Sequence, residues 1–228
     1  MALNFQPSEL NIFNLVETGD IPASSEVSGI ELRLTDVFVM DNNTHAPLSK
    51  KKDKGADLYV IVIAINDLGN VVQTLDLKGF PKTLDNTGLG INRTIHFWQK
   101  TETTPKAPSQ IHTFISVIKS KQKTREAGEI LSNAKNDTEF SNIITSIKDI
   151  AKNATPVGQV ADLVTSLAQV IGKFLGKVED QPLFTWFQSF TNLGGDFDDL
   201  GITPVTLKNN FVSVTINKII RDANQNGA

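Results

Sequence analysis

The chain has 228 residues, 22 basic and 25 acidic side chains, a net charge of -3, and no cysteine. This removes disulfides, thiolate zinc sites and cysteine nucleophiles together. The near-neutral balance argues against bulk nucleic-acid binding, which wants a basic excess. With 39% hydrophobic residues, a chain of this length can bury a core without staples.

Residues 1–28 contain Pro, Ser and Glu around one short apolar patch, Leu10 to Val16, and read as an N-terminal arm. The first basic residue is Arg33, so this stretch lacks the basic and apolar regions of a secretory leader. The longest apolar run, Leu58 to Ile65, falls far short of the roughly 18 residues of a spanning helix. The expectation is a soluble, cytoplasmic protein without a transmembrane segment, peripheral to a membrane or exported without a signal peptide.

From residue 29 on, the pattern is that of strands. Ile30, Leu32, Leu34, Phe38 and Met40 repeat with period two, broken at Asp36, which predicts a half-buried strand. Leu58 to Ile65 is apolar on both phases and predicts a central strand covered on each side. Asp67, Gly69 and Asn70 supply turn chemistry, so Val71 to Leu77 reads as its hairpin partner. Further strands are expected at Ile91 to Trp98, Ile111 to Ile118, Leu183 to Phe190, Val205 to Leu207 and Phe211 to Ile220.

Two helical patterns interrupt the strands. Phe140, Ile143, Ile144, Ile147 and Ala151 mark an amphipathic helix, with Asn136 and Glu139 as its capping pair. Val157, Val160, Ala161, Val164, Leu167, Ala168, Ile171, Phe174, Leu175 and Val178 form one wide apolar face after Thr155 and Pro156. The short join predicts a helical hairpin inserted at 132–178. The fold class is therefore mainly β: one domain, 29–228, an eight-stranded antiparallel β-sandwich with that insert. The helix face either packs on the sandwich or, with Gly172 and Gly176 in small-xxx-small spacing, meets a membrane or a partner.

Lys54-Gly55-Ala56-Asp57-Leu58-Tyr59-Val60 before an apolar strand resembles the Asp-Pro-Tyr-Val signature of C2 domains, with Leu58 in place of Pro. Lys82-Thr83-Leu84-Asp85-Asn86, followed by Ile91 to Phe97, is similar to the family's Lys-Thr-Leu-Asn segment and its aromatic-rich strand. The resemblance spans about residues 30–120 and implies an eight-stranded sandwich, which in many members binds calcium and anionic lipid through Asp residues in loops at one end.

The resemblance places Asp41 and Asp57 at first-loop calcium positions. Where the family's other ligand loop carries paired Asp, this chain has Lys119-Ser120-Lys121. Ammonium groups there repel a cation, so no standard calcium site is expected. Asp196 and Asp198, beside Asp199, supply replacement oxygens only if their loop lies at the same end; otherwise they make a solvated Gly/Asp turn.

Lys119, Lys121, Lys123 and Arg125 are spaced by two, which on a continuing strand gives a one-faced stripe. Such a stripe suits the phosphates of an anionic lipid surface and is similar to the basic strand patch of some C2 domains. It equally suits an edge strand guarded against aggregation. Lys50, Lys51, Lys52 and Lys54 form a second run, which adds to the first if the two share a face.

Catalytic signals are sparse. His45, His96 and His112 share no spacing, and the last two fall opposite the apolar phase, as exposed histidines would. The chain has no nucleophile elbow, phosphate loop, dinucleotide fingerprint or zincin motif. Trp98 and Trp186 read as core aromatics, with a carbohydrate-binding face as the alternative. The sequence thus predicts a non-enzymatic module with no cofactor beyond an incomplete calcium pattern, contacting an anionic membrane or a protein partner. The alternative is a structural or delivered component of a secretion or injection apparatus, docking through the hairpin.

Overall fold

The structure is a computed structural model. It describes residues 11–13, 27–44, 55–66, 68, 74–120, 133, 136–151, 166, 169 and 181–222. In chain order the elements are β1 (Asn11–Phe13), β2 (Val27–Val39), β3 (Ala56–Asn66), β4 (Thr74–Thr83), β5 (Thr87–Gly88), β6 (Arg93–Gln99), β7 (Gln110–Ser120), α1 (Thr138–Ala151), β8 (Gln181–Thr191), β9 (Gly201–Lys208) and β10 (Val212–Asp222).

The strands form two sheets. One has the order β1-β8-β7-β3-β4; the other runs β5-β2-β10-β9, with β6 also paired to β2. Every pairing is antiparallel except that of β1, which lies parallel to β8. The arm thus contributes a strand, Asn11–Phe13, from its apolar patch. One apolar core joins the sheets: Ile30, Leu32 and Leu34 of β2 and Val214 and Ile216 of β10 belong with Leu58, Val60 and Val62 of β3 and Phe184 and Trp186 of β8.

β3 shows why the first sheet is buried on both faces. Its Ala56, Leu58, Val60 and Val62 enter the shared core, yet Tyr59, Ile61, Ile63 and Ile65 on the opposite face are buried too. Flanked by β7 and β4, it is the central strand that its unbroken Val/Ile run predicts. Its partner β4 begins at Thr74 and runs on to Thr83, past the expected end at Leu77. Residues 71–73 and the turn residues 67, 69 and 70 lie outside the described residues.

Of three register shifts in the second sheet, those at Thr35 and Ile95 change the facings read from the sequence. Thr215 pairs with Asp36 and the next residue, Ile216, with Leu34, so Thr35 is an extra residue in β2. Ile30, Leu32 and Leu34 therefore point inward before it and Val37 and Val39 after it, while Phe38 and Met40 are only half-buried. This corrects the expected alternation: the break at Asp36 is a change of face. In β6 the same device acts at Ile95, since Leu32 pairs with His96 and Arg33 with Thr94. His96 and Trp98 are turned into the core and Phe97 out of it.

α1 is the first expected helix. Its cap is Asp137, one residue later than expected: Asp137 Oδ1 accepts from the backbone N–H of Glu139 (2.8 Å) and of Phe140 (3.2 Å). The second expected helix, 157–178, lies outside the described residues except for positions 166 and 169, both helical.

Candidate functional site

The loops divide between two ends of the sheets. At the near end β2, β4 and β7 finish and β3 and β8 begin; at the far end β3 and β8 finish and β7 and β9 begin. Asp41 and Asp57 stand at the near end. Asp196 and Asp198 follow the last residue of β8 at the far end, so the four carboxylates are not brought together.

The near end is tied by its own polar groups. Gly55 lies so close to Lys82 that a Cβ there would sit 2.6 Å from the Lys82 carbonyl oxygen, which only glycine allows. Beside it Asp57 Oδ1 accepts from the Lys82 N–H at 2.9 Å, holding that residue at φ 50°. Asn42 is fully buried: its N–H donates to Asp85 Oδ1 (2.7 Å) and its Nδ2 to the Thr83 carbonyl (2.9 Å). Asp41 Oδ1 accepts from the Asn43 N–H at 2.7 Å, and Asn42 Oδ1 from the Thr44 N–H at 2.9 Å, as in Asx turns. Asp41, Asp57 and Asp85 each hold a backbone amide.

Lys119 closes this network from β7. Its Nζ donates to the Asn43 carbonyl (2.6 Å) and to Thr44 Oγ1 (2.7 Å). An ammonium thus bonds to the loop of Asp41 from the strand end where the resemblance implies carboxylates. Among the described residues, no group of three or more His, Asp or Glu is placed to hold a metal ion. Lys121, Lys123 and Arg125 lie outside the described residues, but β7 ends at Ser120, which pairs with Asp57. The chain reaching Lys121 and the chain leaving Lys54 therefore join the same end of neighbouring strands.

At the far end, Phe197 plugs the core, fully buried between Asp196 and Asp198. Asp196 Oδ2 accepts from the Thr191 N–H at 2.8 Å, and its Oδ1 lies 3.9 Å from Lys218 Nζ. Burial pushes the Asp196 carboxyl up, against the opposing pull of the Thr191 amide and of Lys218. Lys218 is only 6% exposed, on the core-facing phase of β10 after Val212, Val214 and Ile216. A lone Lys in an otherwise apolar alternation was the available sequence signal for it.

The histidines contradict the surface expectation. His96 is 1% exposed because the Ile95 bulge turns it inward, and neither ring nitrogen has a hydrogen-bond partner. His112 is 4% exposed because the outer face of its sheet is covered as well. Its Nδ1 lies 2.9 Å from Ser189 Oγ, and its ring stacks on Phe187. Burial pushes both pKa values down to about 4, so both rings are neutral at pH 7. Trp98 and Trp186 are buried in the core, as expected.

Sequence reasoning passed over Glu31, on the outer face of the second sheet. Its Oε1 accepts from Arg33 Nε (2.9 Å) and Nη2 (2.6 Å) and from Thr94 Oγ1 (2.6 Å), and its Oε2 from Arg221 Nη2 (3.2 Å). Burial pushes this carboxyl up, but the bonds from Thr94, Arg33 and Arg221 outweigh it and leave the pKa below the ordinary range. Glu31 shares a cross-sheet row with Phe97, Ile219 and Ile202. Phe97 (52%) and Ile202 (66%) are the most exposed large apolar side chains among the described residues.

No model of a known protein family matches the chain, and no curated protein matches its sequence. No helix among the described residues is long and apolar enough to cross a membrane.

Proposed function

We propose that the protein is a non-enzymatic, C2-like binding module whose near end contacts an anionic surface, a lipid membrane before a protein partner, without standard calcium coordination. The observation that carries this is the pairing of Asp57 with Ser120. It sets the start of β3, which follows the run Lys50, Lys51, Lys52 and Lys54 in the sequence, beside the end of β7, which the sequence continues from Lys119 into Lys121, Lys123 and Arg125. Basic side chains near an anionic leaflet contribute about 1 kcal/mol each, so two moderate runs together suffice where one is marginal. The C2-like reading is supported by the meeting of the two motif stretches, Gly55 and Asp57 against Lys82, and by the two antiparallel sheets that carry them. The calcium-independent reading is supported by the Lys119 ammonium on the Asp41 loop.

Flotation with liposomes tests this. The protein should float with vesicles containing phosphatidylserine at low salt, with or without calcium, and stay behind with neutral vesicles. Flotation should fade as added salt shortens the Debye length. Equal behaviour with acidic and neutral vesicles would reject the membrane and leave a protein as the partner to seek.

A further inference from the structure

The loop after β8 holds the Asp196 carboxyl against an amine of the second sheet. The short turn Asn192–Gly194 ends at Gly195, whose φ of 70° suits glycine and turns the chain back on itself. The Asp196 N–H then donates to the Thr191 carbonyl (3.2 Å), and Asp196 Oδ2 accepts from the Thr191 N–H (2.8 Å). The residue is pinned through its backbone and its carboxyl together. Phe197, which follows it, is fully buried in the core. Lys218 comes from β10, between Leu32 of β2 and Thr203 of β9, and is 6% exposed. Its Nζ lies 3.9 Å from Asp196 Oδ1, farther than the about 2.7–2.9 Å of a charge-assisted hydrogen bond. Among the described residues no other carboxylate pairs with it.

A buried ammonium and carboxylate at that spacing repay little of what their desolvation costs, and condensation removes both charges. We propose that Lys218 and Asp196 condense to an intramolecular amide. Lys218 Nζ bonds to Asp196 Cγ, the bond from Cγ to Oδ1 breaks, and Oδ1 leaves as water with two of the three ammonium protons. Burial pushes the Asp196 carboxyl up, which favours the first proton transfer, from ammonium to carboxylate, that frees the amine to attack. Oδ2 gains negative charge in the attack while the Thr191 N–H already donates to it, and it keeps that donor as the amide oxygen. Fixing the two groups side by side replaces an encounter in solution, an advantage that reaches an effective molarity of about 10⁵–10⁸ M in well-oriented cases. The bond ties the loop after β8 of the first sheet to β10 of the second, in a chain with no cysteine to link them. It stands whether or not the near end meets a membrane.

Mass spectrometry of the purified full chain under denaturing conditions tests the proposal. The expected mass is lower than that of the sequence by one water molecule. Trypsin should then fail to cut after Lys218 and release one branched peptide, residues 178–208 joined to residues 209–221, with fragment ions that place the link between Asp196 and Lys218. Lys218→Arg keeps the positive charge but has no amine to condense, and it should show the full mass. Asp196→Ala should show the full mass as well, and because the mass is read on denatured chains, neither variant has to fold as stably as the parent. Lys218 in the denatured parent should resist an amine-acetylating reagent that modifies the other lysines. A parent of full mass, a tryptic cut after Lys218, or a water loss that persists in Lys218→Arg or Asp196→Ala, as a cyclised aspartate elsewhere would give, would each overturn it.

Discussion

Acidification should destabilise this protein through two histidines before most carboxylates titrate. His96 and His112 are each held near pKa 4 in the fold, against 6.5 when solvated. Between these values the unfolded chain binds protons that the folded chain excludes, so stability present above pH 6.5 is lost as the pH falls toward 4. At pH 5 the loss is about 2 kcal/mol per histidine, and both together take about 4 kcal/mol from a total that is ordinarily about 5–15. The Glu31 carboxyl, held low, stays ionised in this window, and Asp196, held high, shifts stability in the opposite sense. Urea titrations at pH 7 and pH 5 measure the difference. His96→Leu and His112→Asn should each remove about half of the acid-induced loss, whatever they do to stability at pH 7. Equal stability of the parent at the two pH values, or ring signals titrating near pH 6.5 in the folded protein, would refute the reasoning.

Three substitutions probe the polar network more locally. Gly55→Ala drives a methyl group into the Lys82 backbone and should cost about 1–3 kcal/mol, read as a lower urea midpoint at unchanged slope. Lys119→Met removes two charged hydrogen bonds from the Asn43–Thr44 loop and should cost about 2 kcal/mol, with faster amide exchange at residues 41–44. Glu31→Gln leaves Arg33 and Arg221 without their carboxylate and should cost about 2 kcal/mol at pH 7. Because the Glu31 pKa is lowered in the fold, that difference should vanish as acid protonates the parent's carboxyl.

The strands were legible wherever the side-chain phase held. Leu58 to Ile65 could be placed as a central strand because both phases are apolar and β-branched, and Trp98 and Trp186 could be placed in the core. Phase was lost at Thr35 and Ile95, where one inserted residue turns the following side chains over; Asp36 marked the first break, and nothing in the sequence marked the second. His112 was misplaced for another reason, since period two says which face a residue takes and not whether that face is covered. The Asp57–Ser120 pairing, which sets the start of β3 beside the end of β7, depends on long-range register, beyond the reach of local pattern. Glu31 carried no local signal, because Thr94 and Arg221 reach it from distant strands.

The central claim, that two basic runs act as one surface at the near end, is tested most directly by dividing them. Lys119 is left intact in this experiment because it holds the Asn43–Thr44 loop. One variant carries Gln at Lys121, Lys123 and Arg125, a second carries Gln at Lys50, Lys51, Lys52 and Lys54, and a third combines them. Partition onto phosphatidylserine vesicles at low salt should weaken by about 1 kcal/mol for each charge removed, so each partial variant binds measurably less and the combined variant not at all. Melting curves matching the parent's would show that the fold survives. A parent that ignores acidic vesicles at low ionic strength, or a combined variant that binds as the parent does, would contradict the account.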